Sequence, residues 1–273
     1  MSSRAVQPRF QPAFESPQPA SPPLDDAQRL VILLTRILQN SGVQLNVRQD
    51  MREWSEALQR MEGNDGPNPT FDPEQTDDLN PSTAFWIELA DEEGLPIACI
   101  AHRLFETPRF PRLMETMAMW YPKVAHLHEQ ELILPRDMPL LGGKVGHGGG
   151  LVVDMKHRGR GFSWILPRVG RALATRLFGI DWYTSIEMAH IHDRGYCPVY
   201  GNAHTVLAVD GFFRPRQREA RVHLSYMARA EMLAQQAVDV GMLVDHNCHD
   251  LRDLRAITGE RQREAPVVVQ AVA

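Results

Sequence analysis

Residues 151–186 carry the succession that most limits what this chain can fold into. Leu151 to Met155 is an apolar run of strand type, interrupted by Lys156-His157-Arg158-Gly159-Arg160-Gly161-Phe162-Ser163. Helical periodicity then runs to about Phe178, Gly179 ends it, and Ile180 to Ile186 reads as a second strand. This is a βαβ unit, and its helix must pack on the sheet that holds the strands. Ile165, Leu166, Val169, Leu173 and Leu177 fall at helical spacing and are expected to form the packed face. Pro167 removes one backbone donor, which predicts a kink or a late helix start. In the turn, glycines let the backbone bend tightly and bring N–H groups close to an anion. The helix N-terminus adds partial positive charge, and Arg158 and Arg160 add full charges. These groups suit a pyrophosphate, and their strand–helix context is far more specific than an isolated Gly-x-Gly.

The remaining segments are arranged around this unit. Residues 1–24 hold six prolines among Ser, Gln and Ala and are expected to be a disordered tail. Over 25–42, Leu30, Leu33, Leu34, Ile37 and Leu38 predict an amphipathic helix closed by Gly42. Val43 to Val47 reads as a short strand, Asp50 to Met61 as a helix and Glu62 to Ser82 as a long loop. Thr83 to Ala90 and Pro96 to His102 predict a β-hairpin. Pro108, Pro111 and Pro122 punctuate a helix expected over Arg112 to Trp120, and Pro135 to Gly150 is glycine-rich. Downstream, His204 to Asp210 and Arg221 to Tyr226 read as strands joined through Gly211-Phe212-Phe213. Ala228 to about Val240 reads as a helix ended by Gly241, within a C-terminal helical extension over 228–273 whose end, 256–273, is peripheral.

Arg158, Gly161 and Ser163 occupy the three places of the acyl-CoA signature of the GNAT acyltransferase superfamily, which reads Gln or Arg, two residues, Gly, one residue, then Gly or Ala. In this segment, and in the order of elements over 43–227, the chain resembles that superfamily. Ser163 departs from Gly or Ala but is small enough for close approach. The resemblance implies an α/β fold with a mixed, largely antiparallel sheet flanked by helices. It implies that backbone groups of Val152, Val153 and Asp154 pair with a pantetheine arm and polarise the thioester carbonyl. The amides of Arg158, Gly159, Arg160, Gly161, Phe162 and Ser163 would hold the pyrophosphate, and Arg168 and Arg171 could reach the nucleotide phosphate, although an exposed helix face explains those two equally well. A tyrosine on the helical turn after the second strand would protonate the departing thiolate; Tyr200 fits by distance, and Tyr196 is next.

Acyl transfer to an amine also needs a base, and Glu187 or His190, just past the strand end, could take the proton. The implied activity moves an acyl group, acetyl foremost, from acetyl-CoA or another acyl-CoA as cosubstrate, with no tightly bound cofactor, to an amine on a small molecule or a protein lysine. The alternative is a non-catalytic GNAT-like module that binds CoA or a protein. A net charge of −5 argues against a broad nucleic-acid or anionic-membrane surface. The most apolar run, Leu30 to Leu38, is interrupted by Arg36 and too short to span a membrane, and the N-terminus lacks the apolar region of a secretory signal. Three scattered cysteines fit the cytoplasm better than a disulfide framework. Histidines at 126 and 128, 190 and 192, and 246 and 249 invite a metal, but no third ligand stands at the usual spacing, so none is expected. The amphipathic helices at 25–40 and 228–240 leave a homo-oligomer open.

Overall fold

A computed structural model describes residues 24–62, 64, 66–123 and 129–264. The tail expected to be disordered, up to residue 23, the histidines at 126 and 128, and residues 265–273 therefore lie outside the described residues. Seven strands form one sheet: β1 (Gln44–Arg48), β2 (Ala84–Ala90), β3 (Pro96–Thr107), β4 (Gly143–Val153), β5 (Trp182–Met188), β6 (His204–Phe213) and β7 (Arg218–Ala228). Their order is β1-β2-β3-β4-β5-β7-β6, and every neighbouring pair is antiparallel except β4 with β5. The fold is thus α/β with a mixed, largely antiparallel sheet, and the element order is the one the resemblance implies.

On one face, α1 (Asp26–Gln39), α4 (Phe162–Phe178), α7 (Arg229–Asp245) and α8 (Leu251–Glu264) bury a common core with β2 and β3. A reciprocal cap starts α1: the Gln28 amide donates to Asp25 at 2.8 Å and the Asp25 amide to the Gln28 side chain at 3.1 Å. On the other face, α2 (Met51–Arg60) packs Trp54 and Leu58 against Trp86, and α3 (Phe110–Glu115) sits over Val145 beside Val209 and Leu224.

Several local expectations need correction. β4 begins at Gly143, well before Leu151, and includes the glycine-rich stretch. Neighbouring rings fill the space its side chains would take: a Cβ at Gly149 would lie 2.9 Å from the Phe71 ring and one at Gly150 2.6 Å from Trp54. α3 is shorter than the expected helix over Arg112 to Trp120, because Met117 turns to φ 63°. Gly211, Phe212 and Phe213 belong to β6; the turn is Arg214–Arg216 with Gln217 at φ 49°. Gly241 does not stop α7, whose buried Val240, Met242 and Leu243 outweigh glycine's cost of about 1 kcal/mol. Residues 256–264 continue α8, which buries Leu251, Leu254 and Thr258 and whose start is tied to the end of α1 by the Leu251 amide donating to Ser41 at 2.9 Å. Pro167 lies inside α4 without ending it, and Leu177, expected in the core, is exposed.

Where β3 meets α4, His102 is buried against the Phe85 ring and bonded to Tyr183 Oη at 3.2 Å. Burial pushes its imidazole down to about 3, with His147 and Arg171 adding to the effect. A Cβ at Gly170 would collide with that ring. Gly170→Ala is therefore expected to lose about 1–3 kcal/mol of stability through overpacking. Denaturant titration of the single variants and of His102→Ala/Gly170→Ala checks this: the double variant should lose less than the sum of the singles.

Candidate functional site

β4 and β5 pair only from Val145 with Trp182 to Gly148 with Ser185. Past that point β4 bulges: Cys99 and Ala101 of β3 pair with Val152 and Gly149, so β4 carries one extra residue, and Gly150 adopts φ 61°. The parallel strands then part, and a cleft of about 580 Å³ opens between them. Gly148 to Val153 line its floor. The glycine-basic turn and the start of α4 form one wall, and the end of β5 forms the other with α5 (Ala189–His192) and α6 (Tyr196–Val199).

In the first wall Gly159 and Gly161 take φ 75° and 90°, and Gly161 is the N-cap of α4 with no side-chain cap. The first helix bonds run from the Trp164 and Ile165 amides to the Gly161 carbonyl at 3.0 and 3.2 Å, so the Phe162 and Ser163 amides before them lie at the open helix start. Together with the helix dipole this geometry suits an anion. The turn is held from behind: Arg255 of α8 donates to the Gly159 carbonyl at 3.3 Å, and Arg160 reaches His157 at 3.1 Å and the Ser41 carbonyl at 3.5 Å. Arg158 folds its Nε onto the Val153 carbonyl at 3.3 Å. Gly159, Phe162, Ser163, Val152 and Val153 all line the cleft. Asp154, expected to join Val152 and Val153, does not. Its N–H donates to Ile97 and its carbonyl accepts from His157, while its carboxylate accepts the Glu62 and Lys156 amides at 3.1 and 3.0 Å. The Glu62 amide foremost holds that carboxyl below the usual range.

Arg168 and Arg171 also depart from expectation, being neither exposed nor among the residues that line the cleft. Both are buried in α4. Arg168 pairs with Asp239 of α7 at 3.0 Å, stacks on Trp164 and donates to the Val199 carbonyl; Arg171 donates to the Tyr200 carbonyl at 3.1 Å. They clamp the C-terminal end of α6. Gly201 follows at φ 74°, where a Cβ would lie 2.7 Å from Arg171 Nη2.

In the facing wall, Glu187 is 3% exposed and accepts from Ser185 Oγ at 2.6 Å, Asn202 Nδ2 at 2.8 Å and Ser225 Oγ at 2.7 Å. Burial raises its carboxyl above the ordinary range, and the three donors only partly oppose this. Tyr196 and Tyr200 line the same cleft with ring centroids 5.9 Å apart. Burial first, and the Glu187 charge second, push the Tyr200 phenol up. His190 lines the cleft from α5 with its side chain exposed. Sequence reasoning missed the partners of Glu187. Ser185-x-Glu187 alternation on one strand face could have found the first; Asn202 and Ser225 arrive by tertiary folding and carry no local signal. Among the described residues no His, Cys, Asp and Glu group of three gathers as a metal site requires, and no helix is long and apolar enough to cross a membrane.

The structure is similar to a spermidine/spermine N-acetyltransferase, SpeG, of Vibrio cholerae, with 12% identity, a TM-score of 0.41 and coverage of 71% of this chain and 98% of that one. It is also similar to NAA60 of Arabidopsis thaliana, solved in complex with acetyl-CoA, with 9% identity, a TM-score of 0.43 and coverage of 69% and 99%. No family profile and no curated protein matches the chain. Likeness at this level assigns no activity.

The buried clamp has a direct test. Asp239→Ala leaves the Arg168 guanidinium without its carboxylate, and a loss of about 3–5 kcal/mol is expected in denaturant titration. A loss below about 1 kcal/mol, the range of an exposed pair, would show that Arg168 is not buried in solution.

Proposed function

We propose that this protein transfers an acyl group, acetyl foremost, from acyl-CoA to an amine. The observation that carries the reading is the parting of β4 and β5: it opens directly onto a glycine-basic turn whose geometry suits an anion at one end and faces a buried carboxylate across the gap. The unpaired edge of β4 at Val152 and Val153 offers backbone groups to the pantetheine arm, and the amides from Arg158 to Ser163 receive the pyrophosphate. Arg158 would swing from the Val153 carbonyl towards the phosphates. Glu187, through its own oxygen or a water, takes a proton from the substrate ammonium, and the freed nitrogen attacks the thioester carbon. A C–N bond forms, the tetrahedral oxyanion collapses, and the C–S bond breaks. Tyr200, or Tyr196 beside it, gives the thiolate its proton and is reprotonated, directly or through water, by the second proton that the attacking nitrogen loses, leaving amide and free CoA. His190 at the mouth is the second candidate base. A cytoplasmic setting suits the free thiols of Cys99, Cys197 and Cys248.

The alternative of a non-catalytic CoA-binding module draws on one observation: three donors already occupy Glu187. Two measurements separate the readings. Calorimetry should find acetyl-CoA and CoA binding in the native protein and none in Arg158→Ala/Gly161→Trp, which removes charge and backbone approach together; a native protein that binds neither overturns the site. In thiol-release assays Glu187→Gln should keep acetyl-CoA affinity while kcat falls by about 10²–10⁴-fold. Because a base must be ionised and burial raises this carboxyl, kcat of the native enzyme should fall as pH drops through a value above the ordinary glutamate range, and this limb should vanish in the variant. Binding without turnover of any amine would favour the module.

A further inference from the structure

The last β5–β7 pair is Met188 with Val222, yet β6 and β7 stay paired out to Phe213 with Arg218. The hairpin tip therefore projects past the end of β5, and its turn residue Arg216 lines the cleft. Arg194, between α5 and α6, lines the same side. Both side chains are exposed and stand on the Glu187 wall, across from the glycine-basic turn of Arg158 and Arg160. Among the described lining residues Glu187 is the single carboxylate, and Asn64 and Asn68 of the long loop are uncharged.

From this charge layout we infer that the acceptor is a small amine that also bears a carboxylate or phosphate, its ammonium directed to Glu187 and its anion held by Arg194 and Arg216; the inference rests on the acyl-transfer reading above. A polyamine or a lysine-rich peptide brings further ammonium groups and would need carboxylates to receive them; here it meets two guanidiniums, a like-charge arrangement that selects against it. An acid-bearing amine is complementary at both ends, and a guanidinium can take carboxylate or phosphate through paired N–H bonds.

The test measures thiol release at saturating acetyl-CoA for matched amines: L-arginine with agmatine, L-lysine with cadaverine, phosphoethanolamine with ethanolamine, and spermidine and a lysine peptide alongside. At least one acid-bearing member should exceed its partner by about tenfold in kcat/KM, the amino acid and phosphate arms showing which anion is read. Arg194→Gln/Arg216→Gln should bring that ratio close to one, mainly through KM, with acetyl-CoA affinity in calorimetry unchanged. Turnover confined to spermidine or the peptide, an unaltered ratio in the variant, or weakened acetyl-CoA binding, which would assign these arginines to the nucleotide, each overturns this inference alone. Thiol release with no amine while acetyl-CoA still binds removes the acyl-transfer reading and this inference together.

Discussion

The cleft depends on β4 lacking side chains where its neighbours need room. A Cβ at Gly146 or Gly148 would meet Ile180 or Tyr183, and one at Gly149 or Gly150 would meet Phe71 or Trp54. The strand thus runs as a thin backbone sheet between aromatic layers on both faces, its missing packing supplied by rings from α2, β5 and the loop before β2. Glycine weakens a strand by itself, so β4 holds its shape only because those rings are buried around it. The same flexibility lets Gly150 turn to positive φ and bulge, which carries Leu151 to Val153 away from β5. A strand of ordinary residues would keep pairing and leave no gap.

A wall built from two four-residue helices has little core of its own, and the structure fixes it by other means. Arg168 and Arg171, taken from water at considerable cost, place guanidinium donors on the Val199 and Tyr200 carbonyls. Asp239 of α7 balances the first of these charges, so the position of the tyrosine wall is coupled to a helix beyond the cleft. Gly201 is required where the chain passes the guanidiniums, since any Cβ there meets them.

The sequence displayed the βαβ unit, the hairpin and the turn because each is written in local periodicity and in Gly, Pro and charge placement. It hid β4 because glycine-rich segments ordinarily mean loops, and nothing local reveals that Trp54 and Phe71 will occupy the vacant positions. It misplaced the end of α7 for the same reason in reverse: Gly241 reads as a stop, but packing on α1 and α4 carries the helix past it. Arg168 and Arg171 looked like an exposed face since a basic residue in a helix usually is one; their carboxylate and carbonyl partners lie far along the chain. Of the candidate site, Tyr196 and Tyr200 came from the resemblance and Glu187 and His190 from their expected place just past a strand end; the structure lines one cleft with all four and puts Glu187 inside β5 instead, whereas Asn202 and Ser225 became visible only with the fold.

Burial gives the two kinds of proposed proton carrier opposite roles. Removing Glu187 from water disfavours its charge and raises its carboxyl, which moves a weak base towards the strength an ammonium substrate demands. Ser185, Asn202 and Ser225 stop this short of neutralising it, each donating to the ionised form. Removing Tyr200 from water raises its phenol too, and the nearby Glu187 charge raises it further, so the hydroxyl stays protonated and is present as a donor where the proposed mechanism builds negative charge on the departing thiolate. On the proposed mechanism, Glu187 loses its charge on accepting the ammonium proton, and the phenol would lose that part of its reluctance to ionise. Proton uptake on one side of the cleft would thereby ease proton release on the other, in the order that aminolysis of a thioester requires.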